Sequence, residues 1–262
     1  VGLHSRWSFP ENWEQLNRDE GGKALLPFTP KFIRNSVVEK FFKQRMVQHL
    51  PNQGIVPETF SLIERWTENI LDILDQHFAE HGYLLGERPT VADFGLFGPI
   101  FGHLNRDPWP KREWLDPRPN LQKWVEKMAR GEQTSGELYP NDEIQPSLMP
   151  LVKIVLDEFM PLMQDTADEI KQIVKTKGLE SGRSLPRTTE KLNFAMLDGT
   201  YCRGSFTYSV WRMQRIQKIM NEFSEQDKES LKTWLAEQGQ ADFLSIDYGP
   251  KLTRKGLVAA LA

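Results

Sequence analysis

TVADFGLFGPIFGHL, residues 90–104, reads as a helix whose first turn is written into the sequence twice. Thr90 stands where an N-cap belongs. Asp93, three residues on, can return its carboxylate to the Thr90 N–H in a capping box. Pro89 and Phe94 are spaced to pack together as a hydrophobic staple across the cap. Phe94, Phe97, Ile100, Phe101 and Leu104 then recur at helical spacing, which predicts a buried helix with a fixed start.

Working outward, the same grammar predicts further helices. Lys31–His49 offers Phe32, Ile33, Val37, Phe41 and Met46 as an inner stripe, and Pro57–His81 offers Phe60, Ile63, Trp66, Ile70, Leu74 and Phe78, with Gly82 placed to end it. Ahead of them, Pro10 stops any helix begun within His4–Asn17, and Gly21-Gly22 reads as a loop. After the capped helix, Pro108 and Pro110 predict an extended connection. Leu121, Trp124, Val125 and Met128 mark a short helix ending before Gly131.

The stretch from Gly131 to Gln145 is polar and reads as a boundary or surface loop. A long helical segment follows over Ser147–Lys175, with Pro161 expected to kink or split it. Asp198-Gly199 between apolar flanks predicts a hairpin near 191–203, with these two residues at the turn. Helices follow over Ser205–Phe223 and from a second capping box, Ser224 with Asp227, to Gln238. Residues from Phe243 on carry no clear pattern.

Composition sets bounds on function. The 262 residues carry a net charge of −3, a near-neutral balance that gives no electrostatic reason to expect nucleic acid as a partner. Eight Trp and fifteen Phe suit a helical core of large side chains. Cys202 is the single cysteine, so no internal disulfide forms. No apolar run is long enough to cross a bilayer. The expected compartment is cytoplasmic, or mitochondrial if Val1 is a processed N-terminus.

Tyr83-Leu84-Leu85-Gly86-Glu87-Arg88-Pro89-Thr90-Val91-Ala92-Asp93-Phe94 resembles the YLxG…PS/TxAD stretch of the glutathione transferase C-terminal domain, and the resemblance extends over roughly Lys31–Arg130. It implies a helical bundle over 1–130; with the patterns above, the expected fold is predominantly all-α, with a helical extension and one β-hairpin over 131–262 that packs on the first part. In that family glutathione is bound by an N-terminal thioredoxin-like domain. No βαβ pattern opens this chain, and Val56-Pro57-Glu58-Thr59 imitates the family's cis-proline loop only superficially. Two functions follow as expectations. One is a glutathione transferase-like protein in which this chain supplies the helical hydrophobic-substrate part and lacks the glutathione-binding domain. The alternative is a non-catalytic structural or interaction subunit of a larger assembly. Glutathione is the cofactor only if the missing domain exists, and the family implies a homodimer or a larger complex.

No catalytic residue is assigned. Arg6, Trp7, Tyr208, Trp211 and Arg215 are the candidates for a substrate-binding wall, pairing aromatic faces with cations. Thr90, Asp93, Ser224 and Asp227 are assigned to capping. Cys202 beside Arg203 has the outline of an activated thiol, but no His adjoins it and a buried filler role explains it better. His77 and His81 lie four apart with His103 as a conceivable third ligand, yet a His near a helix C-terminus is explained by the macrodipole, and no metal is expected. Arg212, Arg215 and Lys218 form a basic stripe beside Tyr208 and Trp211, which a solvated helix face also explains.

Overall fold

The computed structural model describes residues 1–13, 18–132 and 134–262; the end of the His4–Asn17 stretch lies outside them. The fold is predominantly helical, with two small two-stranded sheets among the described residues. It divides into two compact units. The first comprises Val1–Pro51 and Ile55–Leu151, the second Asn52–Gly54 and Val152–Ala262.

In the first unit the Phe60–Glu80 helix packs on the Pro119–Arg130 helix. Its buried face runs Ile63, Thr67, Leu71, Leu74 and His77. Thr67 is accommodated there because its hydroxyl donates back to the Ile63 carbonyl at 2.7 Å. Around Leu74 gather Tyr83, Ile100, Leu104, Trp114, Leu121 and Trp124, an aromatic-rich core. The Pro119–Arg130 helix begins at Arg118, which supplies no side-chain cap of its own. Asp75 supplies one from the facing helix, accepting from the Asn120 N–H at 2.8 Å and the Leu121 N–H at 2.9 Å. A carboxylate on the positive end of a helix serves as well from another element as from the cap position itself.

Several elements differ from the sequence reading. The Lys31–Val37 helix continues through a wider i→i+5 turn at Val38–Lys43, and its apolar stripe faces outward. Phe32 is 76% exposed and Phe41 68%, while Val38 is buried. Apolar periodicity shows that a face needs covering, not that this chain covers it. Phe94 is 60% exposed, so the staple against Pro89 does not bury it. Gly21-Gly22 lies inside the Asp19–Leu25 helix rather than in a loop. Pro108 and Pro110 begin a helical turn that continues through Lys111–Leu115, because proline costs no hydrogen bond in a first turn. Pro10 acts as expected, ending the Gly2–Ser8 helix at an extended Phe9.

In the second unit a wide turn at Val155–Phe159 directly precedes the Met160–Lys177 helix. Pro161 has no N–H to offer the preceding turn, so the α-helical ladder is interrupted there. Gly178 ends that helix in the left-handed conformation, φ 57°. Thr188–Met196 and Gly199–Phe206 form the antiparallel hairpin. Its turn sits one residue earlier than Asp198-Gly199 suggests: Met196 pairs with Gly199, leaving Leu197 and Asp198 at the tip with Leu197 at φ 50°. This register buries Met196 and Tyr201, and a one-residue slip would turn both outward.

A second hairpin, Leu252–Lys255 with Val258–Leu261, closes the chain where the sequence showed no pattern. The Val258–Leu261 strand also exchanges backbone hydrogen bonds with Gly182, Arg183 and Leu185. Ala259 and Leu261 enter the core with Ile170, Val210, Met213 and Leu235. No helix among the described residues is long and apolar enough to cross a membrane.

Candidate functional site

Asp93 is the hub of the region that decided the fold. Its carboxylate is fully buried and accepts from the Thr90 N–H at 2.8 Å, the Thr90 hydroxyl at 2.9 Å and the Leu84 N–H at 3.0 Å. The cap thus ties the helix start to the preceding Tyr83–Gly86 turn. The segment 137–139 is laced to the same turn, through Glu87 N–H to the Glu137 carbonyl and Tyr139 N–H to the Leu85 carbonyl. Asp93 therefore organises structure and offers no free oxygen edge to a substrate. Ser224 plays the simpler part, accepting from the Asp227 N–H at 3.1 Å at the start of the Glu225–Glu237 helix.

Of the proposed binding residues, Arg6 and Trp7 lie in the first unit and Tyr208, Trp211 and Arg215 in the second. Arg6 donates two hydrogen bonds to the buried Asp107, at 2.9 and 3.0 Å, and a third to the Gly102 carbonyl at 2.7 Å. That engagement fastens the first helix to the end of the capped one. Trp7 packs against Trp13 with ring centres 5.2 Å apart. Tyr208, Trp211 and Arg215 do form one row along the Thr207–Asn221 helix. The Tyr208 and Trp211 rings lie 4.9 Å apart, and the Arg215 guanidinium stands 5.1 Å over Trp211. Arg212 and Lys218 are exposed on the same helix.

His77 and His81 are engaged within the first unit. His77 is fully buried, and since the Tyr83 carbonyl can only accept, its Nε2 must donate there at 3.0 Å. Its Nδ1 then accepts from the Ser147 hydroxyl at 2.8 Å. Burial holds this imidazole below its ordinary pKa, outweighing the Tyr83 hydrogen bond. His81 contacts the Tyr139 hydroxyl at 2.6 Å. Among the described residues no three His, Cys, Asp or Glu side chains are placed to hold a metal ion. Cys202 is half-buried in the hairpin opposite Asn193.

The first unit also carries exposed apolar side chains. Ile33, Val37 and Phe41 recur every four residues on the outward face of one helical run, with Phe28 and Phe32 exposed beside its start. Asp75 and Asp72, which fasten the Pro119–Arg130 helix and Arg118, escaped the sequence reading. Their signal was a helix start with Pro at its first position and no Ser, Thr, Asp or Asn before it.

Residues 67–127 match the model of the glutathione S-transferase C-terminal domain. The likeness to this family rests on that stretch of the chain. The chain is also similar to glutathione S-transferase F14 of Arabidopsis thaliana, 32% identical over 80 residues that make up 30% of this chain and 32% of the relative. The chain thus spans about a third of the length of the curated relative it matches. No solved structure matches. The matched region holds the Phe60–Glu80 helix from Thr67 on, the Asp93 cap and the Pro119–Arg130 helix, the parts whose packing and capping are described above.

Proposed function

We propose that this chain is the helical, hydrophobic-substrate part of a glutathione transferase-like protein, working with a thioredoxin-like glutathione-binding domain that residues 1–262 do not include. The observation that carries the reading is the outward apolar stripe of Ile33, Val37 and Phe41 with Phe28 and Phe32. Contiguous exposed apolar surface in a soluble domain marks an interface or an apolar ligand wall, and in the family resembled here this helix and the Phe60–Glu80 helix face the substrate and the glutathione-binding domain. Glutathione is then the co-substrate, and a homodimer in the cytoplasm, or in mitochondria for a processed chain, is the assembly the reading carries.

The test is the intact mass of the native protein together with its retention on immobilised glutathione. A mass well above that of these residues, with elution by glutathione, supports the transferase. A mass equal to residues 1–262, with no retention and a stoichiometric protein partner, overturns it in favour of an interaction subunit whose chemistry has gone.

A further inference from the structure

Three side chains of the first unit form one hydrogen-bonded line centred on His4. The His4 ring is fully buried in the Gly2–Ser8 helix. Its Nδ1 lies 3.0 Å from the hydroxyl of Ser8, one turn on, and its Nε2 lies 2.9 Å from the carboxylate of Glu64 on the Phe60–Glu80 helix. A carboxylate only accepts, so Nε2 carries the ring proton, and Nδ1 presents a lone pair to which the Ser8 hydroxyl donates. Ser5 of the same helix shows the ordinary use of a helical serine, donating to the Gly2 carbonyl at 3.3 Å. Ser8 spends its proton on a base instead.

The line stands on fixed elements. Arg6, two residues after His4, is pinned to Asp107, and the Ser5 carbonyl accepts from the Asn12 side chain. The Phe9 and Phe60 rings stand against the imidazole, their centres 5.3 and 4.4 Å from it. Burial holds His4 below its ordinary pKa, against the raising effect of Glu64, so the ring is neutral and able to take a proton at neutral pH. Ser8 is half-buried, not sealed. A hydroxyl in reach of a neutral imidazole whose other nitrogen is fixed by a carboxylate is the arrangement that activates a serine, here with the two ring nitrogens exchanged relative to serine proteases.

We propose that Ser8, His4 and Glu64 act as nucleophile, general base and positioning carboxylate in the hydrolysis of activated aryl esters. Ser8 Oγ bonds to the acyl carbon as its proton passes to His4 Nδ1, and His4 returns that proton to the departing aryl oxide as the ester C–O bond breaks. Water then repeats the exchange on the acyl-serine, releasing the acid and restoring Ser8. Glu64 stays ionised and balances the imidazolium formed in each half. The surroundings suit an aryl group: Phe9, beside the imidazole, stacks on Trp109 with ring centres 3.7 Å apart, and both rings are half-buried. All three residues lie outside the stretch that matches the transferase family, and the proposal does not rest on the function proposed above.

The experiment treats the chain with diisopropyl fluorophosphate, read by intact mass and peptide mapping, and separately with 4-nitrophenyl acetate, read by release of nitrophenolate. One equivalent of label on Ser8 and turnover of the ester are expected. S8A, its folding checked by circular dichroism, should take up no label. H4Q should react at least about 100-fold more slowly, the usual contribution of a positioned base. E64Q should lower kcat about tenfold with KM little changed, since the charged acceptor that balances the imidazolium becomes a neutral one. If H4Q fails to fold, S8A and E64Q decide. An unlabelled parent, label on another residue, S8A labelled at the parent's rate, or E64Q indistinguishable from the parent would overturn the proposal.

Discussion

The carboxylate of Asp93 holds the backbone N–H of Leu84, nine residues upstream, at 3.0 Å in a fully buried position. A capping residue that otherwise serves its own helix thereby also fixes the turn through which the chain enters it. Asp93→Ala would strand the Leu84 and Thr90 N–H groups together, and each buried unpaired donor is costly. A loss of about 2–4 kcal/mol is expected by urea denaturation, against about 1 kcal/mol for Thr90→Ala, which removes one donor and keeps the carboxylate. Equal losses for the two variants would show that Asp93 is an ordinary cap.

This pair also shows what could be read in advance. The Thr90–Asp93 spacing is local, and local chemistry is visible in sequence; so is the proline that ends the first helix. The Leu84 bond is not local and was missed, as was the trans cap from Asp75 to Asn120 and Leu121. The stripe containing Phe32 and Phe41 was read as inward because periodicity reports amphipathicity without naming what covers the apolar side. The turn of the first hairpin was misplaced by one residue because the burial of Met196 and Tyr201 outweighs the preference of Asp-Gly for the tip. Of the binding candidates, Tyr208, Trp211 and Arg215 form one row, as their spacing on a helix requires, whereas the use of Arg6 as a pin depends on Asp107, 101 residues away.

Arg6 and Asp107 should behave as a buried pair. Arg6→Ala leaves the Asp107 carboxylate buried with its cation gone, and about 3 kcal/mol should be lost. Adding Asp107→Asn to that variant removes the stranded charge and should restore part of the loss. A double variant no more stable than Arg6→Ala would mean that packing of the Arg6 side chain, not charge, accounts for the effect.

Leu197 carries strain that a different residue would relieve. It sits at φ 50° on the hairpin tip, partly exposed, with its N–H donated to the Glu158 carboxylate at 3.0 Å. A branched apolar side chain is disfavoured in this conformation by roughly 1–2 kcal/mol, while Asn is tolerated there without the unfolded-state entropy of Gly. Leu197→Asn should therefore stabilise the protein by about 0.5–1 kcal/mol, read as a higher urea midpoint at unchanged slope. A lower midpoint would show that the Leu197 side chain contributes more by packing than its backbone costs.

The outward stripe makes its own prediction. Because Phe41 is 68% exposed, Phe41→Ser should change stability by less than about 0.5 kcal/mol. Its effect should fall on association: weaker retention of the partner domain, or a raised KM for an apolar substrate with kcat little changed. If Phe41→Ser instead unfolds the protein, the stripe is covered within the native fold and is not a surface for anything else.

His77 sets a pH dependence whose sign follows from its hydrogen bonds. Its folded pKa is lowered by burial, and protonation would put a proton on the nitrogen that accepts from Ser147. Below its ordinary value of 6.5 the unfolded chain takes up a proton that the folded chain resists. More protons bound in the unfolded state means that stability rises with pH, so it is fully present above that value and declines as the pH falls toward the folded pKa. His4 and His103 are lowered in the same direction, also chiefly by burial, and add to the slope. Urea midpoints measured at about pH 7.5 and about pH 5.5 should therefore fall with acidification. His77→Gln keeps a donor for the Tyr83 carbonyl and an acceptor for Ser147 but cannot titrate, so it should be less stable than the parent at the higher pH and lose less on acidification. A variant with the same pH slope as the parent would assign the dependence to the other two histidines.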